Sequence, residues 1–280
     1  MYQTLSSTGG QEFLHQISTH AWDDGGRAAA ERLSWIAADS HSADETTAQH
    51  AGQAAQAIAT FLDDNKDKLL QLSAGWFGLE RRSVGALNPE LVRAYASALA
   101  PYQGALIGDI DAPGFTMIGD PVGLSAARNV FAVIDTDTRA GEQFNDAAYQ
   151  RAHDYLKTYG QAVVGTKPEE LVALRSAAGL AGVAVGGQRE SGNPAIHIQN
   201  AQYWINWAGY EFAAAMNARP GVPDIADKFF TADGVLKTPD QVSANDLDTF
   251  STALQNFAFH HGQESLGGNF QASFDAAAGK

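Results

Sequence analysis

Apolar residues recur every three or four positions along most of the chain, which is the spacing of one face of an α-helix. The stripe formed by Phe13, Leu14 and Ile17 is an early example, and residues 243–259 carry a later one. Alternating runs that would indicate half-buried strands barely occur, and the best candidate, residues 129–134, also fits a helix. The pattern predicts an all-α fold, a multi-helix array of about 9–12 helices with little or no β-sheet.

A glycine- and proline-rich stretch, residues 104–123, interrupts the helical pattern. Loops of ~20 residues are unusual in compact domains, and such a loop could be functional or packed on the surface. The sequence therefore predicts an N-terminal helical part over residues 1–103, then this loop, then a second helical part over residues 124–266 that packs with the first as one unit. Residues 267–280 are small and polar, which predicts a frayed C-terminal tail.

Charge and composition narrow the range of functions. The chain has 280 residues, with 32 acidic and 18 basic ones, and the net charge of −14 disfavours binding to nucleic acid or to anionic membrane surfaces. Because the chain has no cysteine, disulfides, thiol nucleophiles and thiolate metal sites are excluded.

The most apolar window, residues 177–187, is shorter than the ~20 residues that span a bilayer. We therefore expect a buried helix there and no stable membrane insertion.

His260, His261 and Glu264 form the densest group of potential catalytic or metal-binding residues. A helical zinc pair requires histidines four positions apart, because that spacing points both rings the same way. Neighbouring histidines on a helix point about 100° apart, and no third ligand lies nearby in the sequence. The pattern favours histidines that are solvated or lie at the edge of the core, and it predicts no metal and no cofactor.

Asp109, Asp111 and Asp120 lie in the long loop and form a second candidate group. Two neighbouring carboxylates can serve as the acid and the base of a glycoside hydrolase. Aspartates in glycine-rich loops more often bond their own backbone in turns. The sequence contains neither a G-x-S-x-G nucleophile elbow nor a phosphate-binding glycine loop. A protein without catalysis is therefore favoured, and the alternative is a hydrolase that uses the loop acids or the histidine group.

The most aromatic segment runs from Tyr203 to Tyr210 and contains Trp204 and Trp207. Tryptophan and tyrosine concentrate at protein interfaces, so these residues could line a ligand groove or a partner site. Their spacing of three and four positions favours the interior of a helical core instead.

Several segments of the chain resemble a known family. They are residues 87–102, which include Asn88-Pro89-Glu90 and Ala100-Pro101-Tyr102, residues 130–137, residues 144–149, and an N-terminal part with Phe13-Leu14, Trp22 and Trp35-Ile36. Together they resemble an actinobacterial helical domain family of unassigned function, whose members are labelled as containing a TPR repeat region. The likeness covers about residues 10–185, but the chain has no repeat of the ~34-residue TPR period.

This resemblance implies a role in protein delivery. In that family the domain is associated with type VII secretion and with polymorphic toxins, and it often precedes a variable C-terminal effector. The secretion signal of that system, a tyrosine followed four residues later by an acid, has no match at the eight tyrosines. Its helical-hairpin signature, Trp-x-Gly, matches at Trp76 and at Trp207, and only Trp76 lies between two expected helices. Trp76 therefore joins Tyr203, Trp204 and Trp207 as a candidate interaction residue.

The leading prediction is a non-catalytic helical scaffold or delivery module of a secreted or secretion-associated toxin-like protein, which acts through protein–protein contacts. The expected partner is a secretion component, a chaperone or an immunity-type protein. Residues 1–11 carry no signal-peptide pattern, so secretion or envelope association by a signal-peptide-independent route is predicted. A cytoplasmic location is the alternative.

Overall fold

The computed structural model describes residues 5–74, 79–109, 112–164 and 170–280, and nearly all regular structure in these ranges is α-helical. The helices are α1 Thr8–Thr19, α2 Arg27–Glu31, α3 Trp35–Asp39, α4 Glu45–Asp64, α5 Lys66–Leu70, α6 Val84–Leu87, α7 Pro89–Leu99, α8 Gln103–Leu106, α9 Ser125–Ile134, α10 Thr138–Val164, α11 Glu170–Ser191, α12 Ala201–Ala215, α13 Leu247–His260 and α14 Leu266–Ala277. Within the described ranges, twelve of them have five or more residues, so the predicted all-α array is confirmed.

A single short hairpin is the only sheet in the described part of the chain. Strand β1, Leu72–Ala74, pairs antiparallel with β2, Glu80–Arg82, and Ser73 lies opposite Arg81. Single 3₁₀ turns occur at Ala100–Tyr102, Asp227–Phe229 and Pro239–Gln241.

Short polar side chains begin several helices. The side chain of Asp44 accepts the backbone N–H of Thr47 at 2.9 Å at the start of α4, and Asn200 does the same for Tyr203 at the start of α12. Such caps satisfy backbone donors that have no partner inside the helix. Pro89 occupies the first turn of α7, as its sequence context predicts.

The chain divides into two compact units. Unit 1 comprises Met1–Tyr149, Val183–Ile198 and Ala276–Lys280, and unit 2 comprises Gln150–Gly182 and Gln199–Asp275. The long loop falls inside unit 1, so the predicted division at residues 104–123 does not match this grouping. The reason is that the chain returns to unit 1 twice after it has entered unit 2, which local sequence patterns do not reveal.

Helix α4 is the centre of unit 1 and packs against α1, α3, α7 and α9. Its buried face consists largely of alanines, which let neighbouring backbones approach closely. A Cβ atom added at Gly52 would collide with the carbonyl oxygen of Pro113, so part of the long loop lies directly on this helix. In unit 2, α12 packs against α13, and Phe212, Phe250 and Phe257 are buried.

The C-terminal residues differ from the sequence prediction. Residues 267–280 were expected to fray, but α14 runs from Leu266 to Ala277, and Phe270 and Phe274 are buried. The two phenylalanines lie four positions apart, so one face of the helix carries both. The small and polar residues of this stretch predicted a tail, since a local pattern does not show contacts such as the bond from Arg128 to the carbonyl oxygen of Ala277.

Helix α11 contains the apolar window at residues 177–187. Among the described residues, Leu171–Ser191 is the one stretch long and apolar enough to cross a bilayer, and most of it is buried inside the protein. Core helices of soluble proteins meet the same criterion, so this finding is weak support for a membrane span.

Candidate functional site

His260, the last residue of α13, and the following His261 do not share a site. Nδ1 of His260 is hydrogen-bonded to Oδ1 of Asp224 at 2.9 Å, whereas Nδ1–H of His261 donates to the carbonyl oxygen of Phe257 at 2.7 Å. The His261 ring stacks on Phe257 with centroids 4.1 Å apart. Glu264 is exposed beside a cavity of about 140 Å³ that neither histidine lines. No group of three potential ligands for a metal occurs among the described residues.

The loop acids show turn chemistry where the structure describes them. Oδ1 of Asp120 accepts the backbone N–H of Val122 at 3.0 Å, which is a local turn contact. The backbone N–H of Asp109 donates to the carbonyl oxygen of Gly104 at 2.9 Å. Asp111 lies outside the described residues. The observed contacts of Asp120 match the interpretation of these residues as turn formers.

The aromatic segment of α12 packs around a histidine in unit 2. Trp204 is fully buried, and Tyr203 and Trp207 are partly buried. The ring of His153, on α10, lies 4.8 Å from Trp204 and 4.5 Å from Trp207 between centroids. Burial lowers the pKa of His153, and the nearby Asp240 and Asp154 partly oppose this. Trp204 is thus a core residue, as its spacing favoured, and Trp76 lies outside the described residues.

An exposed pair of aromatic side chains near the start of unit 1 was not predicted from the sequence. The side chain of Phe13 is 39% exposed and that of Trp22 is 40% exposed. Phe13 was expected to lie in the same buried stripe as Leu14 and Ile17. Of these three residues, Leu14 and Ile17 are buried and Phe13 is not. Together with the partly buried Trp35, Phe13 and Trp22 define the N-terminal aromatic surface.

Two grooves meet at Phe13 on the N-terminal aromatic surface. The first has a volume of about 530 Å³, and the second, more open one of about 600 Å³. The first is lined by Leu5, Ser7, Gly9, Gly10, Phe13, Arg32, Leu33 and Trp35. The second is lined by Phe13, Gln16, Ile17, Thr19, His20 and Trp22. Volumes of this size are typical of pockets that accept a few side chains or a small ligand.

Trp22 is held rigidly although its ring is exposed. The buried Asn88 donates from Nδ2 to the carbonyl oxygens of Ser18, at 3.1 Å, and His20, at 2.7 Å, and its Oδ1 accepts the backbone N–H of Trp22 at 3.2 Å. The indole N–H of Trp22 donates to the carbonyl oxygen of Ile17 at 2.9 Å. Because the ring is fixed before any contact forms, little conformational entropy is lost when a partner covers it.

The charge around the grooves contrasts with that of the whole chain. No carboxylate is among the residues that line the two grooves, whereas Arg32 and His20 are. Arg32 is exposed, and its side chain has no hydrogen bond or ion pair with the rest of the described chain. An exposed guanidinium beside an apolar groove favours a ligand that carries a carboxylate.

A second group that sequence analysis did not single out is a buried acid in unit 1. Asp135 ends α9 and has no exposed surface, and Nδ2 of Asn145 donates to its Oδ1 at 2.8 Å. Burial raises the pKa of Asp135 to about 8, although the Asn145 hydrogen bond opposes the rise. Asp135 lines neither groove of the N-terminal aromatic surface.

Comparisons with known proteins identify no relative of this chain. No family model matches it, and neither a curated protein nor a solved structure does. The likeness to the actinobacterial helical domain therefore stays an expectation that rests on the sequence segments given above. The candidate function rests on the geometry of the described residues, above all on the N-terminal aromatic surface.

Proposed function

We propose that this chain is a non-catalytic helical module that binds a partner protein through the N-terminal aromatic surface. The observation that carries the proposal is the exposure of Phe13 and Trp22 beside two grooves. Aromatic side chains dominate the binding energy of many protein interfaces, particularly where they fill or border pockets. Side chains already held in place in the free protein, as the Trp22 indole is by its hydrogen bond to the carbonyl oxygen of Ile17, add to that tendency.

The partner segment, in this proposal, is apolar and carries a carboxylate. The first groove offers apolar walls from Leu5, Phe13 and Leu33 and one cation, Arg32. A peptide segment with one or two large apolar side chains would fill the groove, and an adjacent aspartate or glutamate would pair with the guanidinium. A basic segment would find no carboxylate among the groove-lining residues, in spite of the net charge of −14.

The hydrolase alternative has less support. His260 and His261 bond to different partners, and Asp120 serves a turn. A catalytic base must lie within hydrogen-bond reach of the group from which it removes a proton, which requires the candidate groups to converge on one cleft. The described residues bring neither candidate group to the N-terminal grooves.

The resemblance to the actinobacterial family indicates which partners to test first. We propose a scaffold or delivery role in a secreted or secretion-associated, toxin-like protein, reached by a signal-peptide-independent route, with a cytoplasmic role as the alternative. A secretion component, a chaperone or an immunity-type protein would then supply the apolar, acidic segment. The delivery role rests on the resemblance of sequence segments alone, whereas the binding surface rests on the exposed aromatic residues and the two grooves.

Site-specific photocrosslinking tests the contact surface. A photoreactive phenylalanine analogue is placed at Phe13 and, as the control, at Phe259, which is 54% exposed in unit 2. We expect an adduct at position 13 and not at position 259, and we expect mass spectrometry to place it on an apolar, acidic segment. Phe13→Ala should weaken binding to that partner by at least about tenfold, while Phe259→Ala should not. Equal adducts at both positions would contradict the proposal.

Peptide selection tests the chemistry of the partner segment. A displayed library of random 12-residue peptides is panned against the intact chain and against Arg32→Glu. The original chain should enrich large apolar residues next to aspartate or glutamate, and Arg32→Glu should shift the enrichment toward lysine or arginine. The same charge preference in both selections would exclude Arg32 as the recognition group, and peptides that still bind Phe13→Ala would exclude the groove.

A further inference from the structure

Asp135 and Asn145 are two fully enclosed polar side chains that face each other in unit 1. Asp135 has no exposed surface and Asn145 has 1%. Gly141, one turn before Asn145 on α10, leaves the space that the carboxyl group fills, because a Cβ atom there would lie 2.7 Å from Oδ1 of Asp135. The fit of the acid between α9 and α10 therefore depends on the sequence of both helices.

The hydrogen bonds of this pair are incomplete if the acid is ionised. Nδ2 of Asn145 donates to Oδ1 of Asp135 at 2.8 Å. The other oxygen of each group, Oδ2 of Asp135 and Oδ1 of Asn145, is buried without a donor among the described residues. Both are acceptors when Asp135 is a carboxylate, and a buried acceptor without a donor destabilises the folded state. One proton on Oδ2 would convert two unsatisfied acceptors into a donor and its acceptor.

We propose that Asp135 is a neutral carboxylic acid in the folded protein, and that its Oδ2–H donates to Oδ1 of Asn145 to close a cyclic acid–amide pair. The pair acts as a latch on the turn between α9 and α10. It is neutral as a whole, so burial does not require a counter-ion. When the acid loses its proton, one of the two hydrogen bonds is lost and an uncompensated charge remains inside unit 1.

The latch joins three stretches of unit 1. Nδ2 of Asn193 donates to the backbone carbonyl oxygen of Asp135 at 2.8 Å and to Oγ1 of Thr138 at 3.2 Å. The next residue, Thr136, accepts the backbone N–H of Gly85 through its Oγ1 at 3.1 Å. Ionisation of Asp135 would therefore strain a turn on which α6, α10 and the segment after α11 converge.

The charged groups on the surrounding elements do not neutralise Asp135. Arg93 of α7 pairs with Asp137, and Arg128 of α9 pairs with Glu190, which also binds Lys66. The remaining charged or titratable side chains of the facing stretches, all exposed, are Arg139, Glu142, Asp146, Arg189 and His197. Burial and the bond from Asn145 are the sole influences found on the pKa of Asp135 among the described residues, and burial raises it to about 8.

The raised pKa gives the latch a defined pH dependence. The ordinary value for aspartate is 3.8, so in the unfolded chain the acid ionises well below the pH at which it does so in the folded protein. The stabilising contribution of the proton is complete below about pH 4 and is lost as pH rises through about 8. Over that window the folding equilibrium constant should fall by about tenfold per pH unit from this group alone.

Two measurements on the intact chain test the proposal. The side-chain carboxyl carbon of Asp135, followed by NMR, should keep the shift of a protonated acid from about pH 5 to pH 7. Asp135→Asn can form an amide–amide pair with Asn145. In urea denaturation, the ratio of its folding equilibrium constant to that of the original chain should rise by up to about tenfold per pH unit over the same pH range. The control Asp146→Asn, at an exposed position on α10, should show no such rise.

An Asp135 carboxyl carbon that already shows the shift of a carboxylate at pH 5 would overturn the proposal, as would a ratio of stabilities between Asp135→Asn and the original chain that does not change with pH. The NMR titration uses the unmodified protein, so it decides the question even if the variant fails to fold.

Discussion

The two aromatic regions of this protein have opposite roles. On α12, Tyr203, Trp204 and Trp207 follow one another at helical spacing, and Trp204 is completely buried. At the start of unit 1, Phe13 and Trp22 lie on different elements and remain about two-fifths exposed. In this protein, a dense run of aromatic residues along the sequence forms part of the core. Isolated aromatic residues near breaks in the helical pattern form an exposed surface.

Element length explains the difference. Helix α12 has 15 residues and can bury a continuous face against α13. Near Trp22 and Trp35 the helices α2 and α3 have five residues each, and no residue of α2 is buried. Short helices cover little apolar surface, so large side chains beside them stay open to solvent or to a partner.

Replacing a tryptophan in each region should separate the two roles most clearly. Trp204→Ala removes a fully buried indole and should lower the free energy of unfolding by about 3–5 kcal/mol. Trp22→Ala should lower it by less than about 2 kcal/mol, because part of its ring is already in water. Urea denaturation followed by circular dichroism measures both. Equal losses would show that Trp22 belongs to the core as much as Trp204 does.

A smaller effect is expected from the residue that fixes Trp22. Asn88→Ala removes two hydrogen bonds to carbonyl oxygens and one from the Trp22 amide, which should cost about 1–3 kcal/mol of unfolding free energy. The NMR signal of the Trp22 indole N–H should also broaden or shift. Asn256→Ala, at an exposed position on α13, is the control. An unchanged indole signal would mean that Asn88 does not organise the aromatic surface.

The smallest effect concerns His153, in the aromatic cluster of unit 2. Burial lowers its pKa, so the folded protein favours the neutral ring. The resulting stability is present above the ordinary histidine pKa of 6.5 and is lost as pH falls through the lower folded value. His153→Phe keeps an aromatic ring and should reduce the loss of stability between pH 7 and pH 5, whereas the exposed His41→Phe should not. Parallel pH profiles for all three proteins would contradict this.

Helical periodicity predicted the fold class and the burial of Trp204 because both depend on contacts along one helix face. It failed for Phe13, which shares its stripe with Leu14 and Ile17, because exposure depends on whether another element covers that edge of α1. It also failed for residues 267–280, which form helix α14 up to Ala277 with Phe270 and Phe274 buried.

Local sequence patterns could not predict the N-terminal aromatic surface or the buried Asp135, because both depend on residues that meet only in the tertiary fold. Leu5, Phe13 and Arg32 line one groove only because the turn after α1 brings α1 and the residues around α3 together. Asp135 and Asn145 are ten positions apart on either side of a turn, so nothing in their spacing indicates that they are paired. A single sequence shows which side chains are able to form hydrogen bonds, but which of them pair with each other depends on the tertiary fold.

Arg128 has a consequence for how the chain would bear tension. Its guanidinium donates to the carbonyl oxygen of Ala277, 149 positions away in the sequence, and also to that of Gly123, while Glu190 holds it from another side. These bonds close the intervening chain into a loop. Nη1 of Arg189 adds a second such bond, to the carbonyl oxygen of Ala278 at 3.3 Å. A force that pulls residue 280 away from residue 5 would therefore be resisted by the bonds from Arg128 and Arg189, which must break before the chain that they enclose is stretched.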